Sequence, residues 1–315
     1  MAFPCSSFLR SFGSALPAQR VDNEALAART GRDAALIASQ TGILERRYAP
    51  EGLFVADLGL EAANDCLSRA GITAQDLGLI LFSSGSAERA FPGPASALAA
   101  RLGLTATPAI DLPIASAGSL VGIALAADLA VRYGNILVVA SEIMSRRISD
   151  ADPDTAILFG DGAGACLVSR DSGFARIVDS ALYTDGNSAD TLYLPSGGTL
   201  QMNGLGVIMH ASRKLPRAIG DLLAKHSIPP ADVEVYLMHQ ANANLLRKVA
   251  TTLKVPEDRF FSNIERYGNT SSASLLIAAA EWWNAGTTPI AGPIILSAFG
   301  AGFNWGAILA EPTRP

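Results

Sequence analysis

The chain has little from which to build a metal site, a disulfide framework or a nucleic-acid surface. Its 315 residues hold three cysteines, Cys5, Cys66 and Cys166, with neither the spacing of a metal site nor the pattern of a disulfide scaffold. Only 17% of residues are charged, the net charge is -5 and the pI is near 5.3. No basic run covers a face, which argues against nucleic acid as a main partner. The opening "MAFPCSSFLRSFGSALP" lacks a long apolar core, and no later segment reaches the length of a membrane span without polar interruption. These features predict a soluble cytoplasmic protein without a membrane partner. Histidine is scarce too: three residues, His210, His226 and His239.

What is abundant is apolar. Hydrophobic residues make up 49% of the chain, so more of it than usual must be hidden. That favours a layered α/β fold with buried central helices and a subunit interface. A weak internal repeat runs through the sequence. "LGLILFSS" (77–84) reads as a strand, "GPASALAARLGL" (93–104) as a helix, and "AIDLPI" (109–114) as a strand followed by a buried helix. "NILVVASE" (135–142) and "GDGAGACLVSR" (160–170) close the first half. The second half has "VEVYLMHQ" (233–240), "ANANLLRKVATTL" (241–253), "RFFSNIERYGNTSSASLLIAAAEWW" (259–283) and "PIILSAFGAGFNWGAILAEP" (293–312) in the same order. Two packed α/β halves with mixed sheets follow, residues 1–172 and 173–315, with a long apolar helix of each half between the sheets.

In a duplicated fold the loops after equivalent strands meet near the pseudo-twofold axis. One of them is "ASAGS" (115–119), small residues between a strand and a helix apolar nearly all round. A buried helix start presents free N–H groups and partial positive charge, a setting for a nucleophile or an oxyanion. Ser116 occupies it. "MHQAN" brings His239, "RYGNTSSAS" brings Asn269, and "FGAGF" (299–303) offers backbone N–H groups. Taken singly these are an N-cap, a core-edge histidine and a turn asparagine. Their recurrence at equivalent points of a repeat points to chemistry.

With "TGILERR" (41–47), "AFPGPAS" (90–96), "ASAGS", "LFGDGAGACL" (158–167), "MHQAN" (238–242), "YGNTSSAS" (267–274) and "SAFGAGFNWGAIL" (297–309), the whole chain resembles the thiolase-fold condensing enzymes, specifically β-ketoacyl-acyl-carrier-protein synthase III. The resemblance implies a layered αβαβα sandwich, homodimerisation and acyl transfer from a coenzyme A or carrier-protein thioester, with no cofactor beyond that substrate. It places the nucleophile on Ser116, the pair assisting the second half-reaction on His239 and Asn269, and the oxyanion donors on the N–H groups of Ser116 and Ala301. Phe91 matches the residue that closes the acyl pocket across the dimer interface.

Three departures stand out. Where the family has cysteine this chain has Ser116, whose hydroxyl must lose its proton as it attacks; His239 is the general base at hand. Ser119 stands where the family has an aromatic residue. The tryptophan and arginine that sandwich the adenine of coenzyme A are Leu36 and Pro153 here, although Arg146 and Arg147 remain as thioester contacts. The basic carrier-protein surface is depleted, with Asn244, Thr251, Thr252 and His210 at its positions. Arg213, Lys214, Arg217, Arg247, Lys248 and Lys254 offer a shifted patch or a merely solvated face. Three readings follow: an acyltransferase that condenses or transfers its acyl group in fatty acid or polyketide-like biosynthesis, a non-catalytic or decarboxylase-only homologue, or an engineered cysteine-to-serine variant.

Weaker features are read as structure. "GDGAGA" (160–165) leads into the strand "CLVSR" instead of a helix, so it fails as a dinucleotide loop, and its small residues allow close approach. Cys166 reads as core, and Trp282 and Trp283 as packing or interface. Arg46 and Arg47 read as tunnel mouth or as surface ion pairs with Glu45. His210 and His226 read as solvent-facing helical residues.

Overall fold

A computed structural model describes residues 7–286 and 290–313; Cys5 lies outside the described residues. Ten strands form one hydrogen-bonded sheet: β1 (Ser7–Ala15), β2 (Leu77–Ser83), β3 (Ala109–Leu112), β4 (Asn135–Ile143), β5 (Asp161–Ser169), β6 (Ala175–Thr184), β7 (Val235–Met238), β8 (Phe260–Phe261), β9 (Ile294–Gly300) and β10 (Asn304–Pro312). Their order is β8-β7-β9-β10-β6-β1-β5-β4-β2-β3. Read outward from the centre, each five-strand set runs alike: two antiparallel pairings, then two parallel ones. Strand n of the first set corresponds to strand n + 5 of the second. The two sets are joined where β1 pairs with β6, Ser7 to Leu9 facing Ile177 to Ala175.

The helices explain why nearly every strand is apolar on both faces. The longer ones are α1 (Asn23–Thr30), α2 (Ala34–Thr41), α3 (Val55–Ala70), α4 (Pro94–Arg101), α5 (Gly118–Tyr133), α6 (Gly204–Lys225), α7 (Ala243–Leu253) and α8 (Ser274–Asn284). On β4, Ile136, Val138 and Ala140 face a core shared with α5 and α8, whereas Leu137 and Val139 face α3 and α4. On β9, Leu296 and Ala298 join that same central core, whereas Ile295 and Phe299 face α6 and α7. The layers are therefore α3/α4, first sheet half, α5/α8, second sheet half and α6/α7, the expected αβαβα sandwich.

Alpha-helices at the centre of such a stack must be apolar all round. On α5, Leu120, Ile123, Ala124, Ala126, Ala127 and Ala130 are buried, and on α8 every residue from Ser274 to Ala280 is buried. Both helices start without a side-chain cap, which keeps their N-terminal ends open toward the site.

Two local readings change. "GDGAGA" does not precede a strand; from Asp161 onward it is strand β5. A Cβ at Gly164 would lie 2.4 Å from Leu276 Cβ, so the glycine face of β5 receives α8. Arg46 is neither tunnel mouth nor surface ion pair. It is fully buried, donating to Asn23 Oδ1 (2.8 Å) and to the Ile157 carbonyl (2.8 Å), and burial lowers its pKa to about 10. Its stem lies under the loop that carries Asn269, because a Cβ at Gly160 or Gly268 would come within 3.0 or 3.3 Å of Arg46 Cβ.

Other side readings settle as packing. Cys166 is core, with its thiol pKa raised by burial. Trp283 stacks on Phe174 with ring centroids 3.9 Å apart. His226 is not a free surface residue, since its Nε2 lies 2.7 Å from Asp179 Oδ2. The ring of His210 packs 5.2 Å from that of Phe303. Among the described residues no helix is long and apolar enough to cross a membrane, and no group of three or more ligating side chains could hold a metal ion.

Candidate active site

The two inner helices begin next to each other, and their entry loops make the site. Between β3 and α5 the chain turns through Ser116 at φ 59°, a left-handed conformation that costs a non-glycine residue about 1 kcal/mol or more. Before α8 it turns through Ser271 at φ 49°. The two turns are hydrogen-bonded, the Ser116 N–H donating to Ser271 Oγ at 3.1 Å. Ser116 is buried, as are His239 at the end of β7 and Asn269. All three line one cavity of about 50 Å³, closed by apolar side chains that include Phe159, Leu245 and Phe299.

Second contacts orient the two polar partners. Asn269 Oδ1 accepts the Ser271 N–H at 2.9 Å, which leaves the amide NH₂ as the free end of that side chain. The Asn269 backbone is fixed on both sides, donating to the Leu158 carbonyl (2.9 Å) and accepting from the Gly160 N–H (3.0 Å). His239 Nδ1 lies 2.5 Å from Ser274 Oγ, which also accepts the Gln240 N–H at 3.0 Å. Burial lowers the His239 pKa to about 4, so the ring is neutral near pH 7 and carries one N–H.

The predicted oxyanion donors are placed differently from each other. The Ser116 N–H is already held by Ser271 Oγ. Ala301 lies on an open groove of about 670 Å³ beside Gly85, Ala115 and Leu192, and its carbonyl accepts Asn304 Nδ2 at 2.7 Å. Phe91 is 87% exposed on the single chain, at the edge of the segment whose Ala90, Gly93 and Pro94 line that groove.

The predicted cationic contacts scatter. Arg146 donates to the carbonyls of Leu53 and Pro50 (both 2.7 Å), and Arg147 to those of Ala87 (2.7 Å) and Ser86 (3.2 Å). Both pin loops. Lys214 pairs with Asp185 at 2.7 Å and sits 3.9 Å over the Trp305 ring. Arg247 bonds Asn244 Oδ1 within its own helix. Arg213 and Lys248 remain exposed. At the adenine positions, Leu36 is 48% exposed and Pro153 begins a four-residue helix.

Sequence reasoning missed Ser271, Ser274 and Glu142. Glu142, fully buried, accepts from the Gly85 N–H (3.0 Å), Ser86 Oγ (2.6 Å) and Ser272 Oγ (2.6 Å), tying the loop after β2 to the loop before α8. The only sequence signal was the serine spacing in "TSSAS", whose partners lie in the other half of the chain.

Comparisons with known proteins agree over nearly the whole length. Residues 110–186 match the family described as 3-oxoacyl-[acyl-carrier-protein (ACP)] synthase III, and residues 223–311 match its C-terminal region. A β-ketoacyl-[acyl-carrier-protein] synthase III of Oleidesulfovibrio alaskensis is 34% identical, covering 96% of this chain and 98% of the relative. The crystal structure of 3-oxoacyl-[acyl-carrier-protein] synthase III from Aquifex aeolicus superposes with a TM-score of 0.93 at 29% identity, over 97% and 99% of the two chains. The priming β-ketosynthase of the R1128 polyketide pathway gives 0.90 at 28%, over 99% and 98%.

Proposed function

The chain belongs to the 3-oxoacyl-acyl-carrier-protein synthase III family, and from that premise we propose that it is an acyltransferase that condenses or transfers acyl groups taken from coenzyme A or carrier-protein thioesters. The observation that carries this reading is the shared cavity of Ser116, His239 and Asn269. In the first half-reaction Ser116 Oγ attacks the thioester carbonyl as His239 takes its proton, and the thiolate departs with that proton as the acyl ester forms. The oxyanion is held by the Ser116 N–H, once Ser271 Oγ yields it, and by the Ala301 N–H. In the second, a malonyl thioester loses carbon dioxide. The electron pair of the broken C–C bond forms an enolate whose oxygen accepts from Asn269 and His239, and the enolate carbon attacks the acyl ester, releasing Ser116 Oγ.

On the same reading residues 1–172 and 173–315 are the two duplicated halves. A second copy of the chain covers the groove beside Ala301 and buries Phe91, whose ring is too exposed on one chain for a residue of its size. Transfer from one thioester to another needs no bound cofactor. The enzyme works in the cytoplasm in fatty acid or polyketide-like biosynthesis. Arg213, Lys248 and Lys254, exposed and unpaired with carboxylates among the described residues, are cations left for a carrier protein to meet.

Intact-protein mass spectrometry after incubation with short and medium acyl-CoAs and acyl-carrier proteins tests the first half-reaction. An acyl mass increase is expected for the natural chain and its complete loss for Ser116→Ala. An adduct that persists in Ser116→Ala, or none with any donor, would refute the acyl-serine step.

A further inference from the structure

Ser116 needs a base, and the second half-reaction needs a donor; His239 is the neutral ring available for both, and it has a single N–H to place. Its two nitrogens are not equivalent. Nδ1 faces Ser274 Oγ at 2.5 Å, and that oxygen accepts the Gln240 N–H at 3.0 Å. The hydroxyl has one hydrogen of its own. Gln240 N–H is a donor, and among the described residues Nδ1 is the one acceptor bonded to this buried hydroxyl, so its hydrogen is satisfied only if Nδ1 accepts it. The ring proton is then on Nε2.

We infer that Ser274 is a positioning residue that holds His239 as an Nε2–H donor and so favours enolate formation over acylation of Ser116. This rests on the proposed function for the two half-reactions, though the ring tautomer itself does not. With hydrogen on Nε2, the imidazole donates to the thioester oxygen beside the Asn269 amide while the carboxylate carbon leaves as carbon dioxide. Where no acyl ester is waiting, the enolate carbon takes a proton from water and the product is the acetyl thioester. In the same tautomer Nε2 has no lone pair for the Ser116 proton. Accepting it requires the hydrogen to move to Nδ1, which turns the Ser274 hydroxyl hydrogen away from its acceptor into a buried setting, where an unsatisfied polar group is costly.

Ser274 differs from an ordinary packing residue in that its removal should push the two half-reactions in opposite directions. Ser274→Ala removes the donor to Nδ1, so both tautomers become populated. Decarboxylation of malonyl-CoA should fall about twofold, as the competent ring drops from nearly all to about half of the population once one buried hydrogen bond no longer biases it, whereas single-turnover acylation of Ser116 by butyryl-CoA should hold or rise. Nitrogen-15 chemical shifts of the labelled histidines in the full-length protein report the tautomer directly. Nε2–H is expected for His239 in the natural chain, a mixture in Ser274→Ala, and Nε2–H again in Ser274→Thr, which keeps a hydroxyl. An Nδ1–H ring in the natural chain, an unchanged tautomer in Ser274→Ala, or equal falls in both rates would overturn the assignment. If neither thioester reacts, the proposed function fails while the nitrogen shifts still decide the role of Ser274.

Discussion

The two halves place serines at matching points of their inner helices and use them differently. Ser116 and Ser271 are the left-handed turn residues before α5 and α8, and Ser119 and Ser274 follow each by three residues. In the second half both serines hold something: Ser271 Oγ holds the Ser116 N–H and Ser274 Oγ holds the His239 ring. In the first half Ser116 lines the cavity, while Ser119 Oγ is buried with no hydrogen-bond partner among the described residues. The strand ends repeat the contrast. At the ends of β2 and β4 the first half closes around the Glu142 carboxylate; past β7 and β9 the second half leaves His239 on the small buried cavity and the loop at Ala301 on the open groove. The repeated topology provides two equivalent sets of loop ends, and one set supports the other.

The largest effect should come from breaking the closed side. Glu142→Ala leaves the Gly85 N–H and the hydroxyls of Ser86 and Ser272 without their acceptor, so urea unfolding should show a loss of about 4 kcal/mol. A loss below about 1 kcal/mol would mean that water replaces the carboxylate and the side is not closed.

The open side should show itself through pH. The His239 pKa falls from 6.5 to about 4 on folding because the ring is desolvated. Between those values the unfolded chain takes up a proton that the folded ring refuses, so stability is complete above pH 6.5 and declines as pH drops toward 4. The decline attributable to this residue is about 3 kcal/mol. The difference between the stability curves of the natural chain and His239→Ala isolates it; parallel curves would place the ring in contact with solvent.

The smallest effect sharpens the comparison at the paired serines. Ser119→Ala removes a buried hydroxyl that bonds to nothing, so it should stabilise the chain by about 1 kcal/mol and leave acylation unchanged. Its counterpart change, Ser274→Ala, should alter the half-reactions. Destabilisation by Ser119→Ala would show that its hydroxyl has a bridging water for a partner.

Much of this was legible in the sequence, for identifiable reasons. Strands β2, β4, β7 and β9 are short apolar runs, and α5 and α8 are apolar all round, so period and length alone located them. Ser116, His239 and Asn269 stood out because each follows an apolar run at one of the strand ends that the repeat brings together. The central pair β1 and β6 was not legible. "SFLRSFGSA" mixes serine and arginine into its pattern, and its buried Ser11 is satisfied by the Cys66 carbonyl at 2.9 Å, from a distant helix. Strand β5 was half read, because glycine and alanine carry little strand preference and only α8 gives them a reason to extend. Arg46 was misplaced because a charged residue is expected outside; its hydrogen bonds come from residues more than twenty and more than one hundred positions away. Ser271, Ser274 and Glu142 were missed on the same ground, since a serine or a carboxylate is defined by what it faces.

Buried Arg46 also constrains how the chain can drift over generations. Its stem and the bare Cα atoms of Gly160 and Gly268 occupy one stack beneath Asn269. A Cβ gained at Gly160 would also meet the Tyr267 carbonyl at 2.3 Å and one at Gly268 the Leu158 carbonyl at 3.0 Å, so neither glycine has room for a side chain whatever stands at position 46, and a shrunken arginine would leave Asn23 and the Ile157 carbonyl without their donor. Each of the three positions is therefore held on its own ground, and a lineage that keeps Asn269 in place keeps all three.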